Sequence, residues 1–170
     1  IVRTCEVFGV QTVHLIEEKY GKRLDAEIAM GAEKWVTTHR YPDTASSLEA
    51  LKAQGYRIVA TVPDEKATYL EDFDINHKSV FFFGTERKGL SQEVLFNADE
   101  LLTIPMVGFT QSLNISVSVA IILQYLTQKL RKSDLQWQLS AQEQLETRLQ
   151  WTKNSIRSLS DILSRYYSIQ

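Results

Sequence analysis

The chain has one cysteine in 170 residues, Cys5, so no internal disulfide can form. That usage suits a reducing compartment, and a cytoplasmic location is expected. No run approaches the ~18 consecutive apolar residues of a membrane span. The longest apolar runs are short, such as Val80–Phe83, and no membrane partner is expected. Basic residues are not in excess: 19 Lys and Arg stand against 21 Asp and Glu, a formal net charge of −2. Nucleic-acid binders usually carry a basic surplus. Overall charge therefore gives no support for such a partner, and any basic surface must be local. His14, His39 and His77 are scattered, with no ligand cluster, so no metal is expected. Nothing at Ile1 reads as the charged start of a signal peptide. The chain opens inside a helix, "IVRTCEVFG", and further residues are expected upstream.

Apolar residues make up 44% of the chain, enough for a real core in one domain of this length. The pattern alternates between strands and helices. Thr12–Ile16 reads as a strand and Trp35–Thr38 as another. "PDTASSLEALKAQG" is a helix capped by Asp43 or Thr44, turned inward at Leu48 and Leu51 and ended by Gly55. Strands follow at Arg57–Thr61, Ser79–Phe83 and Leu101–Ile104, with a short helix at "SQEVLFNA". The uninterrupted apolar run of Ser79–Phe83 predicts burial on both faces. Such alternation argues for an α/β fold around a parallel sheet.

A buried helix begins in "GFTQSLNISVSVAIILQYL". Ile115, Val119, Ile122, Leu126 and Leu130 recur at helical steps, and Val117, Ile121 and Leu123 widen the stripe. Gln111, Ser112 and Asn114 crowd its start, more polar groups than one N-cap requires. Beyond about Lys132 no strand is visible. Ile156, Leu159, Ile162, Leu163 and Tyr166 form an amphipathic stripe. A C-terminal helical extension over 135–170 is therefore expected after a main domain of 1–134. It would pack on that domain or on a partner subunit, with Trp137 and Trp151 as candidate contacts.

Ligands of open parallel sheets bind beyond the carboxyl ends of the strands. Three loops qualify: the one at Thr61, Gly84–Ser91 "GTERKGLS", and Pro105–Asn114 "PMVGFTQSLN". The second is a near miss for a phosphate-binding loop. Gly84, Gly89 and Ser91 fit the pattern, but Leu90 stands where the phosphate-reaching lysine belongs. The acid Glu86 within it suits an amine, a hydroxyl or a basic side chain better than phosphate.

Taken together, "RT" in a helix, "FFFGTERKGLS" and "TIPMVGFTQSLNISVSVA" resemble the SpoU/TrmH group of the SPOUT RNA methyltransferases. The three motifs span Arg3 to Ala120. The resemblance implies a parallel-sheet SPOUT fold with a C-terminal trefoil knot, one of the rare threaded folds. It implies an S-adenosylmethionine-dependent RNA ribose 2′-O-methyltransferase. The expected substrate is tRNA, with a D-loop guanosine as the family model. Thr61, Gly84, Ile104 and Leu113 match cofactor-lining positions, and Met106 shares the third loop. Arg3 matches the family's catalytic arginine, Glu86 the acid of the second motif, and Ser112 and Asn114 the polar pair of the third. The expected reaction is in-line attack of a ribose hydroxyl on the cofactor methyl. A guanidinium rarely gives up its proton, so Arg3 is read as polarising the hydroxyl or gripping a phosphate. The family also implies a homodimer in which Arg3 approaches the partner subunit's cofactor. Lys34, Arg40, Arg87, Lys88, Lys129, Arg131 and Lys132 are the candidate RNA contacts. Alternatives are a ribosomal-RNA methyltransferase, a non-catalytic RNA-binding or assembly module, and a different doubly wound nucleotide enzyme.

Overall fold

The computed structural model describes residues 1–17, 31–85 and 88–168. α1 (Val2–Val7) leads into β1 (Thr12–Ile16). A single 3₁₀ turn, Ala32–Lys34, precedes β2 (Thr37–Tyr41) and α2 (Thr44–Ala53). β3 (Arg57–Thr61), β4 (Thr68–Tyr69), β5 (Ser79–Phe82), α3 (Gln92–Asn97) and β6 (Glu100–Thr103) follow. Three helices close the described chain: α4 (Ile115–Arg131), α5 (Ala141–Ser155) and α6 (Leu159–Tyr167).

Every strand pair among the described residues is parallel. β1 pairs with β2, and a four-stranded sheet runs β4-β6-β3-β5. β3 is central and sandwiched on both faces. Its Ile58 and Ala60 pack with Leu48 and Leu51 of α2, Phe82 and Val94. Its Val59 faces the other way, onto Leu70, Phe73, Leu102 and Ile122 and Leu126 of α4. Period-two alternation feeding two cores is what a parallel strand covered by helices on both sides requires. β5 behaves likewise: Val80 and Phe82 join the first core, Phe81 and Phe83 the second. A third cluster ties α1 (Val2, Cys5) to Val13, Ala32 and Val36. Burial pushes the Cys5 thiol up, which keeps it an inert apolar filler.

Several expected boundaries shift. Trp35 and Val36 precede β2 because Trp35 closes the 3₁₀ turn on Ala32, and pairing to β1 starts at Thr37. β6 ends at Thr103, which frees Ile104 for the loop beyond. Asp43, not Thr44, caps α2, accepting from the Ser46 amide. The Ser46 hydroxyl and amide hold the Asp43 carboxyl below its usual range. On α4 the buried stripe is Val119, Ile122 and Leu126, whereas Val117 and Ile121 are exposed. The fully buried stripe is narrower than its apolar content predicts: Ile122 and Leu126 enter the second core, Leu123 packs half-buried against the third, and the face with Val117 and Ile121 meets neither.

The C-terminal stripe also breaks. Ile156 is extended and Ser158 left-handed (φ 53°), so Ile156 sits between α5 and α6 rather than on the helix with Leu163. α5 docks on the chain's own body. The Trp151 indole donates to the Trp35 carbonyl (3.0 Å) and meets its ring edge-on at 5.7 Å. The Asn154 amide donates to the Lys34 carbonyl (3.0 Å). Trp137 stays exposed. No helix among the described residues is long and apolar enough to cross a membrane.

Candidate functional site

The carboxyl ends of β3, β5 and β6 share one sheet edge, since all three strands run in parallel. Their loops enclose a cavity of about 460 Å³, within the ≈ 300–1,000 Å³ of small-molecule sites. Thr61, Val62 and Pro63 form one wall, Phe83–Thr85 and Lys88–Leu90 a second, and Ile104, Met106 and Gln111–Leu113 a third. Ser118 and Ile122 of α4 and Gln92 and Leu95 of α3 complete it.

Two features make this edge what it is. The Thr61 hydroxyl donates to the Phe82 carbonyl at 2.8 Å, pinning β3 to β5 where both strands end. The second loop folds back on itself: the Thr85 amide donates to the Gly89 carbonyl (3.1 Å) and the Gly89 amide to the Thr85 carbonyl (2.8 Å). Gly84 lies under that return. A Cβ placed on it would overlap the Gly89–Leu90 backbone, falling 2.6 Å from the Gly89 carbonyl oxygen. Only glycine admits so close an approach. Gly89 closes the turn with a positive φ of 65°.

All the positions expected to hold the cofactor, Thr61, Gly84, Ile104, Met106 and Leu113, line this one cavity. Ser112 lines it too, and Asn114 does not. The Asn114 side chain caps α4, accepting from the Ser116 amide at 2.8 Å. The polar crowd thus divides into one cap and two cavity groups, Gln111 and Ser112. Arg3 is exposed on α1, outside the residues lining the cavity. Glu86 and Arg87 fall outside the described residues.

The expected basic contacts also separate. Lys88 is exposed and lines the cavity. Lys34, Arg131 and Lys132 are exposed, and Arg40 pairs with Glu17. Lys129 is committed elsewhere: its ammonium donates to the carbonyls of Glu71 (3.0 Å) and Phe73 (2.9 Å). The histidines are not all scattered. His14 and His39 sit opposite each other on β1 and β2, rings 5.3 Å apart, with Tyr41 Oη 3.2 Å from His14 Nδ1. Burial, and then the neighbouring His39, hold the His14 pKa below the usual histidine range. Among the described residues no group of three or more His, Cys, Asp or Glu could hold a metal.

Sequence reasoning missed Pro63, Gln92, Leu95, Thr103 and Ser118 as cavity residues. Helical spacing could have found Ser118, which lies one turn before the buried Ile122. The α3 residues carry no such signal.

An α/β body with a ligand cavity built from the loops beyond three parallel strands, one of them a glycine return, defines the class. The matching family model is the SpoU rRNA methylase family, over residues 1–124. The chain belongs to that family. It is 41% identical over 157 residues to a tRNA (guanosine(18)-2′-O)-methyltransferase of Borreliella burgdorferi, covering 92% of this chain and 72% of the relative. It is 35% identical over 133 residues to the protein of that name from Escherichia coli, covering 78% of this chain and 58% of the relative. Its fold matches the crystal structure of the Aquifex aeolicus TrmH/SpoU tRNA modifying enzyme with a TM-score of 0.78. That match is 29% identical and covers 92% of this chain and 81% of the other.

Proposed function

We propose that the protein is an S-adenosylmethionine-dependent methyltransferase acting on the 2′-hydroxyl of a tRNA ribose. The convergence of Thr61, Gly84, Ile104, Met106 and Leu113 on one cavity carries this reading. Family membership and the names of the relatives support it.

The cavity suits the cofactor. Ile104, Met106 and Leu113 offer an apolar slot for an adenine ring, and the backbone of the Thr61 and Gly84 loops supplies amide and carbonyl groups around it. When bound, S-adenosylmethionine supplies an electrophilic methyl. The remaining work belongs to the chain. The glycine return held by the Thr85–Gly89 pair forms one wall. Ser112 presents a hydroxyl to the cavity, and Asn114 fixes the start of α4, so the third loop holds its shape. Positioning of the two reactants contributes most of the acceleration. Arg3 holds the reacting ribose or its phosphate as a permanently charged donor. In the homodimer that the family reading implies, Arg3, which lies outside its own cavity, serves the site of the second copy. Glu86 matches the acid of the family's second motif. Lys88 at the cavity and Lys34, Arg131 and Lys132 elsewhere on the surface provide charge for the RNA backbone.

The family reading extends to a trefoil knot in the C-terminal part of a domain of residues 1–134, with 135–170 as a helical extension, in a cytoplasmic protein. The test is transfer of labelled methyl to unmodified tRNA and ribosomal RNA offered in parallel, followed by digestion to nucleosides. A 2′-O-methylated nucleoside from tRNA is expected. Label only in ribosomal RNA would move the substrate class, and label in neither would overturn the reading.

A further inference from the structure

The seven phenylalanines divide sharply. Phe8, Phe73, Phe81, Phe82 and Phe83 are buried or half-buried. Phe96 and Phe109 are 91% and 109% exposed, and both stand on segments that line the cavity. Around Phe109 the loop alternates in purpose. Met106, Gln111, Ser112 and Leu113 face the cavity, while Val107 and Phe109 flank Gly108 wholly in solvent. Phe96 follows Gln92 by four residues on α3, one turn along the same face, and Gln92 lines the cavity. A phenylalanine left so exposed forgoes the stabilisation of burial, which fits a group whose partner arrives only in a complex.

We propose that Phe109 is the stacking residue that seats the RNA base beside the reacting ribose at the cavity mouth, with Phe96 a second, weaker platform. The proposal rests on the RNA methyltransferase reading. Three observations choose a nucleobase as the occupant over an apolar protein face. The residues next to Phe109 in the loop, Gly108, Thr110, Gln111 and Ser112, are exposed and small or polar, with Val107 and Leu113 the exposed apolar residues on either side of them. A flat ring beside amides is the usual combination for holding an unstacked base, by its face and its edge together. Lys88, exposed and lining the same cavity, supplies the charge that a phosphate there needs. The methylated hydroxyl must reach into the cavity, so its own base or a neighbouring one lies at the rim, within the arc of the loop that carries Phe109. Phe109 would thus set the position of the target nucleotide without touching the transferred methyl.

Full-length protein and its Phe109→Ala and Phe109→Trp variants test this. The readouts are electrophoretic affinity for an unmodified tRNA transcript, KM and kcat of methyl transfer, cofactor affinity by calorimetry, and mass by light scattering. Base–aromatic stacking is worth about 1–3 kcal/mol per base, so Phe109→Ala is expected to weaken tRNA affinity and raise KM roughly 5- to 150-fold. Cofactor affinity and mass should not move, and Phe109→Trp should restore RNA binding. Unchanged tRNA affinity in Phe109→Ala overturns the proposal. So does a loss of affinity that tracks a fall in mass, which would make Phe109 a subunit contact. If the wild type binds tRNA in a Phe109-dependent way but transfers no methyl, the stacking role stands and the catalytic reading fails. Absence of tRNA binding in the wild type overturns both.

Discussion

The four-stranded sheet has two edges built on opposite plans. At the amino ends of its strands, everything is tied. Arg57 donates to the Asp74 carbonyl (2.6 Å) and to the Ser79 hydroxyl (3.3 Å), pairs with Glu100 (2.9 Å) and lies 4.7 Å over the Phe73 ring. The Asp99 carboxylate accepts from the Ile58 amide (2.7 Å), and the Asp99 amide donates to the Ile58 carbonyl (2.9 Å). Lys129 caps the carbonyls of Glu71 and Phe73. At the carboxyl ends the strands are joined by Thr61 and Phe82, and the loops beyond surround open space. The contrast shows how the fold divides its labour. Charged side chains hold the segment around Glu71–Asp74 and tie β3 to β6 at one edge, so the loops at the other can shape a cavity.

Substitutions at the two edges should therefore fail differently. The largest effect is expected for Gly84→Ala, whose methyl group overlaps the Gly89–Leu90 backbone. It should destabilise by about 3 kcal/mol in denaturant melts and abolish cofactor binding. Unaltered calorimetric affinity would show that the loop gives way easily. Arg57→Met should cost about 2–3 kcal/mol, because Glu100 and the Asp74 carbonyl lose their donor in a half-buried setting. Cofactor affinity of the folded fraction should stay within twofold. A loss of affinity matching the loss of stability would erase the distinction between the edges.

Lys129→Met and Asn114→Ala sharpen the comparison. Lys129→Met removes two bonds to carbonyls and should lower stability by about 1 kcal/mol while leaving RNA affinity alone. Lys88→Ala should do the reverse, flattening the salt dependence of RNA binding. Asn114→Ala should cost about 1 kcal/mol through the lost cap, and in addition slow methyl transfer by loosening the third loop. A melt shift without a rate effect would reduce Asn114 to a cap alone.

The smallest effect concerns pH. His14 has a lowered pKa, so the unfolded chain binds a proton that the folded one resists. Stability should be full above the ordinary histidine pKa of about 6.5 and fall as pH drops through it. His14→Asn should flatten that part of the profile in thermal melts taken between pH 7 and 5. An identical slope in the variant would clear His14.

The regular half of the molecule was legible because burial imposes periods. Arg57–Thr61 and the α2 sequence match their elements, since each has an apolar spacing that only one period explains. The cavity was legible as three loops at one edge, because parallel strands put their exits side by side. The His14–His39 pair was not, since 25 residues separate it in sequence and only the β1–β2 register joins it. Lys129 was misread for a related reason: a lysine near a helix end looks like surface charge until the carbonyls of Glu71 and Phe73, 58 and 56 residues away, are seen. Asn114 was half legible. Its capping role follows from residue type, but that it stays out of the cavity that Gln111 and Ser112 line is seen only in the structure.

Leu113 offers the most direct measurement of the central claim, that these three loops form the cofactor site. It lines the cavity yet is 36% exposed, so Leu113→Glu can place a charge in the adenine slot without disturbing the core. Calorimetric titration of S-adenosylmethionine should give one site per chain in the wild type and at least about tenfold weaker binding in Leu113→Glu, with coincident melts of the two free proteins. Equal affinity in both would place the cofactor elsewhere and contradict the account.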